Sequence, residues 1–177
     1  VDSLQIITPD TSTSGGLSRL LASSPELFVN TGISEQAAVL IGGGLSSEGF
    51  TVFVSTFAPF LVFRGCEQIR LVSSYMDFPV KYVGYAGGLD LVDLGYTHCC
   101  IEDVAIMRCV GLEIYTPSCG DDLLWSIESL IESPEPGYLR LGSRGKIPND
   151  MASGDIDTET GLRLFSVDTA ADRIIVK

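Results

Sequence analysis

Apolar residues along this chain fall into short continuous runs rather than alternating with polar ones. Leu4 to Thr8, Leu27 to Val29, Phe50 to Val54, Val80 to Gly84, Leu112 to Tyr115 and Tyr138 to Leu141 each read as a strand. Runs that are apolar throughout suit strands covered on both faces. Between them the apolar positions recur at helical spacing, over Leu17 to Ala22, Ile33 to Ser47, Phe60 to Ser74, Ile101 to Cys109 and Asp121 to Glu132. Ser34 is placed to cap the second of these helices. Glu102 and Asp103 open the fourth, where the helix dipole favours negative charge. Arg64, Glu67 and Arg70 form a polar stripe on the third. Gly42-Gly43-Gly44 lies inside a helical pattern and predicts close helix packing. Strands alternate with helices throughout, so the expected fold is α/β, a mostly parallel sheet with helices on both faces.

After Pro148 the pattern changes. Asn149 to Thr160 is rich in Asp, Ser, Thr and Gly and reads as a linker. Leu162 to Phe165 and Ile174 to Lys177 read as short strands that begin a further unit. The expected division is therefore residues 1–148 as one domain, with 149–177 a linker and the start of a C-terminal domain.

Composition narrows the classes of partner. A chain of 177 residues can bury a sizeable core without disulfides. A hydrophobic share of 45% and a mean hydropathy of +0.30 exclude disorder for most of it. Charged residues are only 19%, which points to a surface that a partner covers. Acidic residues outnumber basic ones 23 to 11, a net charge of −12. That balance argues against nucleic acid and against an anionic membrane surface. No run approaches the ~20 apolar residues of a membrane span, and no basic segment leads into an apolar one near the start. The five cysteines show no metal-ligand spacing and mostly sit in apolar runs. They are expected as buried thiols in a reducing cytoplasm.

An α/β sheet presents ligands with the carboxyl ends of its strands. Four such places carry suggestive residues: Pro9 to Ser14, Asn30 to Gln36, Ser55 to Phe63 and Gly84 to His98. Glu35 falls in the first turn of a helix, where the dipole alone accounts for it. Phe57, Phe60 and Phe63 recur on one helical face. Core packing explains that spacing, and so does a wall for a flat heterocycle. His98 is the one histidine in the chain, between a glycine-rich loop and a helix. One histidine is too few for a zinc site or a Ser-His-Asp triad.

Five blocks taken in order carry a family resemblance. They are Phe28-Val29-Asn30-Thr31-Gly32-Ile33-Ser34-Glu35-Gln36, Val54-Ser55-Thr56-Phe57, Asp77-Phe78-Pro79-Val80, Tyr96-Thr97-His98-Cys99-Cys100-Ile101-Glu102-Asp103-Val104-Ala105, and Tyr138-Leu139-Arg140-Leu141. Together they resemble the pyrimidine-binding domain of transketolases, over roughly Leu4 to Pro148.

The resemblance implies thiamine diphosphate as cofactor, lying between two domains and usually across a subunit interface. The other domain would hold the diphosphate and a Mg²⁺ or Ca²⁺ ion. Glu35 matches the glutamate that hydrogen-bonds N1′ of the aminopyrimidine ring, which lets N4′ take the thiazolium C2 proton. A two-carbon ketol unit then moves from a ketose to an aldehyde. Phe57 and Phe60 match the aromatic pocket around the pyrimidine, with Phe63 extending it, and Asp10 matches an acidic residue close to the thiamine. On the substrate side His98 matches a histidine that contacts sugar hydroxyls. Ser14 and Arg144 match positions that hold a sugar phosphate. The sequence departs from the family at Leu94, where an acidic residue is usual, at Tyr96, where proline is usual, and at Ala86, where a second histidine would fall. An unusual or unphosphorylated substrate is the expectation.

No diphosphate-binding domain is present. The resemblance therefore implies one subunit of a split transketolase, or a fragment of a longer chain. It would be active only with a diphosphate-binding partner, in a hetero-oligomer with two-fold symmetry. A separate subunit could carry the C-terminal domain, and the substrates would be sugars or sugar phosphates. Two other readings stay open: the beta-type subunit of a thiamine-dependent 2-oxo acid dehydrogenase, which has a similar Ile-Ser-Glu-Gln block, and a non-catalytic partner subunit. The block from Thr97 to Ala105 favours the first reading over the second, and the presence of Glu35, Phe57 and His98 favours it over the third.

Overall fold

The computed structural model describes residues 3–142 and, beyond them, three strands at 156–157, 162–165 and 174–176. Six strands form the main sheet: β1 (Leu4–Thr8), β2 (Phe28–Asn30), β3 (Thr51–Phe57), β4 (Lys81–Tyr85), β5 (Glu113–Tyr115) and β6 (Gly137–Leu141). Their order is β2-β1-β3-β4-β6-β5, and every pairing is parallel. The connecting helices are α1 (Ser18–Ser23), α2 (Glu35–Ser47), α3 (Ala58–Ile69), α4 (Asp103–Cys109) and α5 (Gly120–Glu132). Right-handed crossovers put α2, α3 and α4 on one face and α1 and α5 on the other. The chain leaves β1 towards one edge and returns to β3 on β1's other side. The carboxyl ends of β1 and β3 therefore flank a switch point, where such sheets bind ligands.

The core lies between the sheet and α2 and α3. Ile7, Val52, Val54, Leu61, Val62, Ile69 and Tyr82 are fully buried there. Two of the helical glycines let α2 approach. A Cβ at Gly42 would stand 2.9 Å from Val54, and one at Gly43 2.9 Å from Val72. At the amino end of the sheet Lys81 is buried, its Nζ donating to the carbonyl of Ser133 at 2.8 Å and to that of Glu135. Burial pushes its pKa below the ordinary lysine value.

Several element ends differ from the sequence pattern. β3 runs on to Phe57 instead of stopping at Val54, because Ser55 and Thr56 pair with Val83 and Gly84 of β4 and are buried despite their hydroxyls. α2 begins at Glu35 without a side-chain cap; the Ser34 hydroxyl donates instead to the Thr31 carbonyl at 2.8 Å, closing a turn before the helix. α3 ends at Ile69 and widens into a π turn over Arg70–Tyr75. The Ser73 and Tyr82 hydroxyls, 2.8 Å apart and buried, tie that turn to β4. The polar stripe of Arg64, Glu67 and Arg70 is exposed, as the pattern predicts.

The cysteines correct an expectation. All five are free thiols, but Cys100 and Cys119 alone are buried; Cys66 and Cys99 are half-buried and Cys109 is exposed. An apolar neighbourhood in sequence did not place them inside. Beyond the main sheet, β7 (Ile156–Asp157), β8 (Leu162–Phe165) and β9 (Ile174–Val176) pair antiparallel in the order β7-β8-β9.

Candidate active site

The carboxyl ends of β1 to β4 gather most of the candidate residues. Phe57 closes β3 and hands the chain to α3, whose start is favoured by Pro59 in its first turn. The Phe57 and Phe60 rings meet edge-on at 5.5 Å, because Phe60 lies one turn along. Phe57 also packs on Tyr85, at the end of β4, with centroids 4.5 Å apart. The His98 imidazole stands edge-on to both phenylalanines, at 6.2 Å from Phe57 and 5.3 Å from Phe60. The wall is thus Phe57, Phe60, Tyr85 and His98. The Thr97 hydroxyl lies 3.0 Å from His98 Nδ1 and orients the ring.

Glu35 stands as the first residue of α2 and is only 5% exposed. Its Oε1 accepts from Arg64 Nη1 at 2.7 Å. The Arg64 guanidinium lies over the Phe60 ring, 4.1 Å from its centroid. That cation–π contact joins the carboxylate to the aromatic wall. A buried acceptor beside aromatic faces suits a flat heterocycle with a protonated ring edge.

Asp10 follows β1 with φ of +59°, a left-handed conformation that non-glycine residues adopt at a cost. It is held there by Asn30, whose Oδ1 accepts from the Asp10 amide at 3.1 Å and whose Nδ2 donates to Asp10 Oδ1 at 3.3 Å. Asn30 Oδ1 also accepts from the Gly32 amide at 2.9 Å, so one side chain sets both loops. Ser14 is exposed in the turn after Asp10. That turn touches the wall through Tyr85, whose hydroxyl donates to the Thr11 carbonyl at 3.1 Å. Burial holds the Tyr85 phenol up at about 12.

Phe63 lies three residues past Phe60 on α3. It is 54% exposed and makes no ring contact among the described residues. Arg144 lies outside the described residues.

Asp103 does open α4, as the pattern predicts, but it is also fully buried, which the dipole alone does not explain. Its Oδ2 accepts from Arg140 Nε at 2.7 Å and from the Tyr138 hydroxyl at 3.0 Å. Cys100 beside it is pushed up to about 11 by burial and by the charges of Asp103 and Glu102. Burial and the Asp103 charge also raise the Tyr138 phenol far above its ordinary value.

Sequence reasoning missed Arg64, Tyr85 and Asn30 as members of the site. Arg64 reads as a surface stripe, and Tyr85 reads as loop because the strand pattern ends at Gly84. Asn30 was legible, since an Asn just after a strand is a recurrent loop former. Among the described residues no three His, Cys, Asp or Glu side chains come together as a metal site, and no helix is long and apolar enough to cross a membrane.

Fold and site together define an α/β domain that offers a flat ligand an aromatic wall and a buried carboxylate. The chain belongs to the family "Transketolase, pyrimidine binding domain", whose pattern matches residues 1–147. It is 34% identical over 156 residues to a subunit of the apulose-4-phosphate transketolase of Phocaeicola vulgatus, covering 88% of this chain and 50% of that one. A solved split-gene transketolase, an inactive beta4 tetramer, superposes with a TM-score of 0.70 at 29% identity, over 86% of this chain and 50% of the other. The transketolase of Campylobacter jejuni superposes with a TM-score of 0.80 at 20% identity, over 93% of this chain and 26% of its own, and shares the fold. This chain spans about half the length of the curated relatives it matches.

Proposed function

We propose that this chain is the pyrimidine-binding part of a thiamine diphosphate-dependent transketolase divided between polypeptides. It would transfer a two-carbon ketol unit from a ketose to an aldehyde. The observation that carries this reading is the buried Glu35 carboxylate set beside the Phe57–Phe60–His98 wall. The residues fit the cofactor's aminopyrimidine: the rings supply flat apolar contact, and Glu35 supplies the one buried anionic acceptor at its rim. When bound, thiamine diphosphate supplies the nucleophilic carbon that carries the ketol unit.

The chain's own residues do the rest. Glu35 holds a proton shared with ring nitrogen N1′, which requires Arg64 to yield its place. Phe57 and Phe60 fix the ring plane and keep water from it. His98, oriented by Thr97, donates to or accepts from the sugar hydroxyls. Asp10, set by Asn30, stands near the thiamine. Ser14 and Arg144 would hold a substrate phosphate, and Phe63 would extend the aromatic pocket where the partner covers it.

Exposed apolar side chains support a covering partner. Ile33 beside Glu35, Phe63 beside Arg64, and Leu94 and Tyr96 beside His98 are all open in the single chain. The partner would bring the diphosphate and the metal ion, Mg²⁺ or Ca²⁺, and pair two-fold with this subunit in the cytoplasm. The division at about residue 148 leaves 149–177 as the start of a further domain. Leu94 and the 87% exposed Tyr96 put apolar surface next to His98. The donor is thus a ketose outside the common pentose phosphates. The relative in Phocaeicola vulgatus is named for apulose 4-phosphate.

The test is reconstitution. The chain, used as bait in a lysate with thiamine diphosphate and Mg²⁺, should retain a diphosphate-binding subunit, and the pair should show ketol transfer that Glu35→Gln abolishes. Turnover of pyruvate in place of ketoses would assign it to a 2-oxo acid dehydrogenase. Thiamine-dependent turnover indifferent to Glu35→Gln would make it a non-catalytic subunit.

A further inference from the structure

The chain between Gly84 and Asp103 is a long excursion that carries His98 at its far end. Between its ends, over residues 87–99, Leu91 is the one buried apolar side chain, packed with Tyr85 and Ala86; Leu89, Val92, Leu94 and Tyr96 are exposed. Such a loop has little core of its own, so its shape must be set at its two ends. The outgoing and returning segments are joined by an antiparallel bridge, with the Gly88 amide donating to the Cys100 carbonyl at 2.6 Å and the Cys100 amide to the Gly88 carbonyl at 2.8 Å.

Behind that bridge lies a second tie. Arg140 leaves β6 beside the outgoing segment, passes against Gly87 and pairs with Asp103 on the returning one. Glycines make room for both of Asp103's donors. A Cβ at Gly87 would lie 2.6 Å from Arg140 Nε and 2.9 Å from Asp103 Oδ2. A Cβ at Gly84 would lie 2.3 Å from the Tyr138 hydroxyl, the second donor to Asp103. Asp103 Oδ1 is buried with no partner among the described residues. A buried pair with an unsatisfied oxygen contributes less to stability than packed apolar groups would, and its best-attested use is to specify one arrangement.

We propose that Asp103 and Arg140 are positioning residues that fix the neck of the 84–100 loop and thereby hold His98 against Phe57 and Phe60 at the substrate end of the site. Neither touches the substrate. The part of this that concerns substrate rests on the reading of His98 as a sugar-contacting residue; the part that concerns geometry does not.

The chain's single histidine makes the test direct. In the full chain, the ring currents of Phe57 and Phe60 should shift the His98 imidazole protons, and NMR would read them without assignment ambiguity. Arg140→Lys keeps the charge and loses the planar Nε donor. It should collapse that shift towards free-imidazole values while the fold's dispersed methyl signals persist. Asp103→Asn should do the same. Tyr138→Phe, a milder change that leaves the ion pair, should give a smaller displacement in the same direction and serves if Asp103→Asn fails to fold.

In the reconstituted enzyme Arg140→Lys should raise KM for the ketose about tenfold, the loss of one well-placed hydrogen bond. The dissociation constant for thiamine diphosphate, measured separately, should stay put. Unmoved His98 signals in folded Arg140→Lys and Tyr138→Phe chains would overturn the proposal. A collapsed signal with unchanged KM would support the positioning role and overturn instead the sugar-contacting role of His98.

Discussion

Two helices of this chain begin with a carboxylate that meets an arginine at the same distance. Glu35 opens α2 and pairs with Arg64 at 2.7 Å; Asp103 opens α4 and pairs with Arg140 at 2.7 Å. Their surroundings differ. Arg64 is 47% exposed and rests on one aromatic face, so water can take its guanidinium back when something else approaches Glu35. Asp103 is fully buried, has Tyr138 as a second donor, and its arginine is wedged against Gly87. With its arginine half in water, the Glu35 pair can be exchanged for a ligand at little cost. Asp103 is sealed inside with two donors, although Arg140 itself is 31% exposed, so this carboxylate exchanges partners only at a larger cost. The first arrangement suits a binding site, and the second suits a frame that holds one.

The sharpest way to break this contrast is Glu35→Gln. In the reconstituted enzyme it should lower turnover by about 10²–10⁴, the usual contribution of a proton-transferring group, while the urea midpoint of the chain hardly moves. A large stability loss with modest turnover loss would make Glu35 a structural partner like Asp103.

Asp103→Ala should do the reverse in kind. It leaves the Tyr138 hydroxyl and the partly exposed Arg140 guanidinium without their acceptor and should cost about 2–3 kcal/mol, read from urea unfolding. A loss under about 1 kcal/mol would place the pair with surface bridges.

Tyr85 tests what burial does to a neutral group in the same wall. Its folded phenol is held up at about 12, against 10.0 for the free group. Between those values the unfolded chain loses a proton that the folded one keeps, so stability falls as pH rises, by about 1.4 kcal/mol per unit for this group. Tyr85→Phe should flatten the alkaline unfolding curve by that slope. An unchanged slope would show that the phenol is reached by water.

Arg64→Ala is the smallest expected change. Glu35 loses its donor, but water can enter where the half-exposed guanidinium stood, so stability should fall by about 1 kcal/mol at low salt and less at high salt. A salt-independent loss of several kcal/mol would erase the difference between the two pairs.

The elements were legible because each follows from its own stretch of chain. Continuous apolar runs such as Ile6-Ile7 and Val52 to Val54 mark strands covered on both faces. Helical spacing marks α2, α3 and α5. Element ends were less legible. β3 continues through Ser55 and Thr56 because β4 supplies hydrogen bonds to their backbone, and no local pattern reports a neighbour's register. Within the site, Phe57, Phe60 and His98 stood out by residue type, by position after a strand and by the order of family blocks. Phe63 shares the same spacing and is exposed in the single chain, since periodicity gives a face but not what covers it.

The sequence by itself determined the alternation of strand and helix, the family, and the acidic residue and rings on which the proposed chemistry turns. Those depend on burial and on short-range pattern, which act residue by residue along the chain. Tertiary structure alone decided who pairs with whom. Glu35 and Arg64 are 29 residues apart, and Asp103 and Arg140 are 37 apart. A charge does not announce its partner locally. Asp103 reads as a helix-start acid until the sheet brings β6 beside β4 and closes a buried ion pair over two glycines.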